Sequence, residues 1–258
     1  MRILFPCLPY SPGEIEPMFE PQREAAENLS LDCSYLSYED LQQEERLILR
    51  PRPEEGEQLL LRGWMFRPAE YEQLEARLEA RGLSLLVSTR EYAACHWLSG
   101  WYDCIREFTA ETSFDPQIIQ DWGQAFVKDQ VKSCAVGGSP IVRDQAELEQ
   151  LRARMIEFRG EIEGNLCFRR VENYTEEHRV FVWRGQAHGL HLPAEAQELA
   201  RQVSQRINSP FYTIDLGLRQ DGVWRVIELG DGQVSDLKEW APAQLFELLA
   251  AAPENSLQ

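Results

Sequence analysis

Residues 212–229 carry two apolar runs, 212–218 and 223–229, on either side of Asp221-Gly222. An Asp-Gly pair between alternating strands is a strong signal for a two-residue hairpin turn, because the glycine accepts the positive φ such a turn needs. That turn sets Ile214 opposite Leu229 and Leu216 opposite Ile227, both pairs on one apolar face. It also sets Asp215 directly opposite Glu228 on the other face. Like charges so placed repel by about 0.2–1 kcal/mol, so something should answer them. Three arrangements would do: a hard cation such as Mg2+, which takes oxygen ligands, a bridging arginine, or a solvated face that tolerates the repulsion.

The rest of the chain gives this hairpin a setting. Its 258 residues allow one large domain or two small ones. The first third alternates: a strand at 3–7, a helix at 19–29, strands at 34–36 and 59–61, a helix at 70–81 and a buried strand at 83–88. Tyr71, Leu74 and Leu78 mark the inner face of the second helix and Gly82 closes it. This βαβ rhythm predicts a small α/β unit over 1–90, followed by a second unit over 91–258. In the second unit, 91–108 is aromatic and helical, with Trp97, Trp101 and Tyr102 as interdomain core. A strand at 125–127 runs into Lys128. Asp144 then starts a helix as its N-cap with Glu147 as capping-box partner, Leu148, Leu151, Met155 and Phe158 form its apolar stripe, and Gly160 ends it. Strands follow at 166–172 and 178–183, and Pro193 opens a helix that buries Leu199, Val203 and Ile207. The fold class is α/β.

Charge and cysteine usage narrow the function. With 43 acidic against 26 basic residues the net charge is −17, which argues against a nucleic-acid partner but leaves room for a small phosphorylated ligand in a locally positive pocket. No apolar run has the length of a membrane span, and the start of the chain, broken by Pro6 and followed by Glu14 and Glu16, does not read as a secretory signal. The six cysteines form no Cys-x-x-Cys pair, so a zinc site is not expected and the chain reads as reduced and cytoplasmic. His188 and His191 are too few for a metal site and read as a surface turn.

Only three basic residues are lysine: Lys128, Lys132 and Lys238. Two of them stand four apart, ahead of Gly137-Gly138-Ser139. Lysine is a compact charge suited to phosphate oxygens, and glycines let backbone N–H groups approach an anion. The spacing is not that of a P-loop, and two solvated surface charges would leave the same trace. Ser133 and Cys134 have no histidine nearby in sequence and read as structural. Glu177 and Arg179 share a strand face, which by itself also describes an exposed ion pair. Arg62 follows the strand at 59–61 and so faces the ligand crevice, within reach of a substrate or a γ-phosphate.

In order, then, the chain offers a two-lysine strand (Phe126-Val127-Lys128-Asp129-Gln130-Val131-Lys132-Ser133), a glycine loop, a helix, Glu177-His178-Arg179-Val180-Phe181, and the carboxylates of Asp215-Leu216-Gly217 and Val226-Ile227-Glu228-Leu229. This ordered set resembles the ATP-grasp fold, in particular the divergent clade named for one arginine and two lysines, over about residues 59–240. The first third resembles the small unit that precedes ATP-grasp domains. The resemblance implies ATP and Mg2+ as cofactors. It implies phosphate contacts from Lys128, Lys132 and Arg179, Mg2+ ligands at Asp215 and Glu228, and an adenine site along Arg170, Val171, Glu172 and Asn173. Glu177, Gly137 and Gly138 complete the expected nucleotide site, with Lys132 and Arg179 in the catalytic roles. In one respect the chain departs from the pattern: many ATP-grasp enzymes carry Asn two residues after the second carboxylate, where this chain has Gly230, with Asp231 and Gln233 as possible substitutes. The expected function is ATP-dependent ligation of a carboxylate to an amine or similar nucleophile, acting on a small molecule, peptide or protein. An ATP-binding assembly factor and a kinase-like phosphotransferase are the alternatives.

Overall fold

The computed structural model describes residues 1–9, 11–43, 46–131 and 139–251, apart from the side chain of Arg159. Lys132, Ser133, Cys134, Gly137 and Gly138 lie outside the described residues. Arg2–Leu8 is the central strand of the first sheet, parallel to Asp32–Leu36 on one side and Gln58–Leu61 on the other. Leu49–Arg50 and Ser84–Leu85 extend the edges, and Ser11–Ile15 folds back on the central strand. Helices Glu20–Asn28 and Pro68–Glu79 connect the parallel strands, the second burying Tyr71, Leu74 and Leu78 as its 3–4 spacing predicts. The strand expected over 83–88 is paired only at Ser84–Leu85; Ser88 instead caps the next helix, its hydroxyl accepting from the Glu91 N–H while the Glu91 carboxylate takes the Ser88 N–H.

The aromatic stretch forms two helices, Thr89–His96 and Leu98–Ile105, because Trp97 between them takes an extended backbone. They are pinned from outside: the Gln130 carbonyl accepts from Leu98 N–H, and the Gln130 side chain from Ser99 N–H. A second sheet orders Thr112–Ser113, Cys167–Arg169, Ala125–Lys128 and Ile141–Val142, all antiparallel. Helix Gln145–Arg159 covers it with Leu148, Leu151 and Met155, whereas Phe158 points to solvent. Asp144 caps this helix as expected, but Glu147 reaches the Arg143 N–H rather than closing the box on Asp144.

The third sheet runs Gln186–Gly189, Tyr174–Trp183, Phe211–Arg219, Trp224–Asp231, again antiparallel. Val180, Val182, Tyr212, Ile214, Leu216, Val226 and Leu229 pack with Trp101, Ile105 and the helix Ala194–Ser204 into one core. The last helix, Pro242–Ala250, returns to the first sheet and buries Leu245, Phe246 and Leu249 beside Phe5.

The hairpin departs from its simple register twice, and the departures cancel. The turn spans Arg219 to Gly222, with Gly222 at φ 84° and the Gly222 N–H donating to the Arg219 carbonyl. This pairs Leu218 with Trp224, one residue away from the expected register. A bulge beside Leu216 then absorbs the difference, so Leu216 faces Val226 rather than Ile227, and Asp215 still faces Glu228. The bulge is held from outside. Thr109 Oγ1 donates to the Val226 carbonyl at 2.7 Å, the buried Arg169 guanidinium donates to the Ile227 carbonyl at 2.7 Å, and the Val226 N–H donates to Phe108.

Candidate active site

The second and third sheets meet along a cleft of two adjoining cavities, each of about 370 Å3. Phe126, Ile141, Ile227 and Ala110 give the first cavity apolar walls. Ile227 is there because the bulge turns it to the same side as Glu228. Gly217 allows the close fit: any side chain at that position would collide with Tyr174 and Ile227. Polar residues close the cavity, namely Lys128, Arg169, Arg170, Glu172, Asn173, Glu177 and Glu228, with Val171 among them. The stretch Arg170 to Asn173, expected at the end of a strand, is the segment joining Cys167–Arg169 to Tyr174–Trp183 and lines this cavity throughout. Its side chains are tied down: Arg170 pairs with Glu111 at 3.0 Å over the Trp122 ring, and Glu172 accepts from Arg219 at 3.0 Å and from the Tyr174 hydroxyl at 2.6 Å.

Lys128 ends its strand with its ammonium on the Glu228 carboxylate, and its side chain is only 4 % exposed. The start of the turn after it is held by hydrogen bonds. The buried Asp129 carboxylate accepts from Val131 N–H at 2.9 Å and from Glu163 N–H at 3.2 Å.

Arg179, Asp215 and Glu228 are successive cross-strand partners and form a row over three strands, which Lys128 closes from the second sheet. Arg179 grips Asp215 with both arms of its fork, each at 2.8 Å, the strong bidentate geometry of a guanidinium on a carboxylate. Burial works to lower the Arg179 pKa, but the Asp215 hydrogen bond and charge, with those of Asp236 and Glu228, outweigh it and hold the group firmly charged. Thus the repulsion between Asp215 and Glu228 is answered here by an arginine and a lysine, one on each carboxylate.

Arg179, Asp215 and Glu228 line the second cavity together with Gly63, Trp64, Met65, His96, Ser235 and Asp236. Its far wall therefore comes from the first sheet's own loop after Gln58–Leu61. Among the described residues, Glu228 alone lines both cavities. Arg62 is absent from both; its guanidinium is buried beneath the loop, donating to Gln22 Oε1 at 2.9 and 3.0 Å and to the Ser235 carbonyl at 3.1 Å. Burial pulls its pKa down to about 10. It is a latch between Gln22 of the first helix and the turn 232–235 after the last strand, so the expectation that it meets a ligand is corrected. Asp231 and Gln233, the possible substitutes for the missing Asn, are likewise fully buried in that seam, where Gln233 bonds Leu61 N–H, the Tyr71 hydroxyl and Asp231.

Sequence reasoning missed Lys238, Asp236 and Glu239. The Lys238 ammonium is 3.1 Å from Asp215 Oδ2, Asp236 accepts from the Arg179 guanidinium, and Glu239 accepts from the Arg179 N–H at 2.8 Å. A signal for Lys238 existed in the same scarcity that singled out the other two lysines.

No group of three or more histidine, cysteine, aspartate or glutamate side chains among the described residues could hold a metal by itself. The donor set fits a different case. Two facing carboxylates offering only oxygen suit a hard cation that brings phosphate oxygens with it, provided Asp215 shares an oxygen now held by Arg179 or Lys238.

Residues 100–249 match the family model described as ATP-grasp domain, R2K clade family 3. No curated protein matches in sequence. Among solved structures, D-cycloserine synthetase DcsG superposes with a TM-score of 0.64 at 12% identity, covering 96% of this chain and 98% of that one. An ATP-grasp RimK domain protein from Sphaerobacter thermophilus gives 0.63 at 14%, covering 97% and 100%. The ATP-grasp ligase PsnB complexed with a minimal precursor gives 0.61 at 14%, covering 96% and 98%. At these identities the likeness is one of fold.

Proposed function

Because the chain belongs to family 3 of the R2K clade of ATP-grasp domains, we propose that it is an ATP-dependent ligase joining a carboxylate to an amine or similar nucleophile. The observation that carries this reading is the position of Glu228 between the two cavities. A nucleotide whose base fills the apolar slot ends its phosphate chain at that carboxylate, where a second space of about 370 Å3 opens for the acceptor.

In this reading Phe126, Ile141 and Ile227 sandwich the base, and the segment Arg170, Val171, Glu172, Asn173 borders its edge, with Glu177 beside it. Lys128 and Arg179 turn from their carboxylates to the phosphate oxygens, where fixed positive charge stabilises the transferring phosphoryl group. Lys132, Gly137 and Gly138 belong to the proposed site through their sequence motif. Asp215 and Glu228 would hold Mg2+, which would neutralise charge between the β and γ phosphates. The substrate carboxylate oxygen bonds to the γ-phosphorus as the bridge to the β-phosphate breaks, releasing ADP. The nucleophile then attacks the acyl carbon, displaces inorganic phosphate and loses its proton. A cavity walled by both units keeps water from the acylphosphate.

The acceptor is a small molecule, a peptide or a protein. DcsG is a synthetase of a small molecule, and PsnB has been captured with a precursor peptide. We place the protein in a reducing compartment, the cytoplasm: Cys7, Cys33, Cys95, Cys104 and Cys167 are free thiols. No helix among the described residues is long and apolar enough to cross a membrane.

Incubation with labelled ATP and a panel of amino acids, peptides and protein extracts tests the reaction. ADP and phosphate are expected, with slow hydrolysis until the right acceptor is present. AMP and pyrophosphate as main products would refute phosphoryl transfer. Tight Mg-ATP binding with no turnover on any acceptor would favour the ATP-dependent assembly factor.

A further inference from the structure

Lys238 lines neither cavity itself but reaches one lining residue of each. Its ammonium is 3.1 Å from Asp215, which lines the second cavity, and 3.8 Å from Glu177, which lines the first. Its side chain is 30% exposed, so it is open to a ligand. The backbone at Lys238 is left-handed, φ 45°, a conformation that a residue with a side chain keeps only where its surroundings impose it. Those surroundings are the strap 236–240. The Asp236 carboxylate and carbonyl take the Arg179 guanidinium, Glu239 takes the Arg179 N–H, and the Trp240 ring N–H donates to the Arg179 carbonyl at 3.0 Å. The strap thus fixes Lys238 against the one carboxylate that Arg179 already neutralises with two hydrogen bonds.

A second cation on a satisfied carboxylate contributes little as a structural ion pair. Lysine, moreover, is what this chain uses only three times. An ammonium is a point charge on a flexible stem, able to change partners where a forked guanidinium is committed to one. Around the facing pair, three cations share four carboxylates: Lys128 sits on Glu228, Arg179 on Asp215 and Asp236, and Lys238 on Asp215 with Glu177 at 3.8 Å. A polyphosphate offers the exchangeable Lys238 ammonium a stronger partner than a carboxylate already held by a guanidinium.

We infer that Lys238 is a phosphate-binding residue of the cleft, which leaves Asp215 for the polyphosphate chain of the nucleotide and so removes one of the two donors on Asp215 Oδ2. The inference rests on the nucleotide reading of the cleft. The ligand class is a nucleoside di- or triphosphate, and the contact lies beyond the first phosphate, because the nearer partner of the ammonium, Asp215, is the cross-strand neighbour of Glu228.

Calorimetry on the full chain with Mg-ATP, Mg-ADP and AMP tests it. Lys238→Gln should weaken Mg-ATP at least tenfold, leave AMP and the nucleotide-free melting temperature unchanged, and be partly rescued by Lys238→Arg. Mg-ATP affinity within twofold of wild type in Lys238→Gln, while Lys128→Ala loses it, would overturn the inference and keep the nucleotide reading. An equal loss for AMP and Mg-ATP would make Lys238 a structural residue and also overturn it. If the wild-type chain binds no Mg-ATP, the reading falls and the inference with it.

Discussion

Replacing Arg62 by methionine should cost about 3–5 kcal/mol of stability, a large loss for one side chain. The guanidinium is 1% exposed and serves Gln22 Oε1 and the carbonyls of Gly232 and Ser235. Methionine fills much of the volume but leaves those acceptors buried without donors, each worth roughly 1–3 kcal/mol. For a chain of this size the melting temperature should fall by about 6–20 °C. The loss also reaches the cleft, since Ser235 and Asp236 line the second cavity directly beyond the latch. Thermal unfolding without ligand checks it; an unchanged melting temperature would mean that the fold does not depend on this latch.

The second large effect is one of pH. Asp231 is fully buried in the same seam, and burial pushes its pKa up to about 7 against the opposing hydrogen bonds from Gln233 and the charge of Arg62. Its Oδ1 accepts from the Gln233 N–H and side chain, and its Oδ2 has no hydrogen-bond partner among the described residues. The folded protein therefore keeps a proton on Asp231 that the unfolded chain gives up near pH 4. Stability from this group is fully present below the unfolded pKa and is lost as pH rises through about 7. A shift of this size amounts to about 4 kcal/mol in all, and about 3 kcal/mol of it falls between pH 5 and 8. Asp231→Asn has no proton to lose, so it should be insensitive over that interval and gain on wild type by about 3 kcal/mol as pH rises. Urea unfolding of both proteins at pH 5, 6, 7 and 8 measures the difference. Parallel stability curves would show that Asp231 is ionised in the folded state.

Both residues show where sequence reading stops. The rule that strand ends face the ligand crevice put Arg62 near a substrate, yet its side chain turns under the loop because Gln22 and the Gly232–Ser235 turn offer acceptors there. Those partners lie 40 and more residues away, beyond the reach of local spacing. The facing carboxylates were legible because alternation and an Asp-Gly turn are local. Even so, the right pair emerged from a turn of different length whose shift the bulge at Ile227 undid. Nothing local announces that bulge, since its carbonyls are held by Thr109 and Arg169 from other elements. Chain-wide patterns carried further: the lysine-to-carboxylate order led to the family, and the lysine scarcity pointed to Lys238 as strongly as to Lys128. Lys132 and the glycine loop lie outside the described residues, so their place in the site rests on the motif.

We propose that one cleft holds ATP together with a divalent cation between Lys128, Arg179, Asp215 and Glu228. Calorimetric titration of ATP into the wild-type chain, with Mg2+ and with a chelator, tests it most directly when repeated on Asp215→Asn. A single site for Mg-ATP is expected, with at least tenfold weaker binding when the cation is removed and a comparable loss in Asp215→Asn. Equal affinity with and without the cation, unchanged in Asp215→Asn, would contradict it.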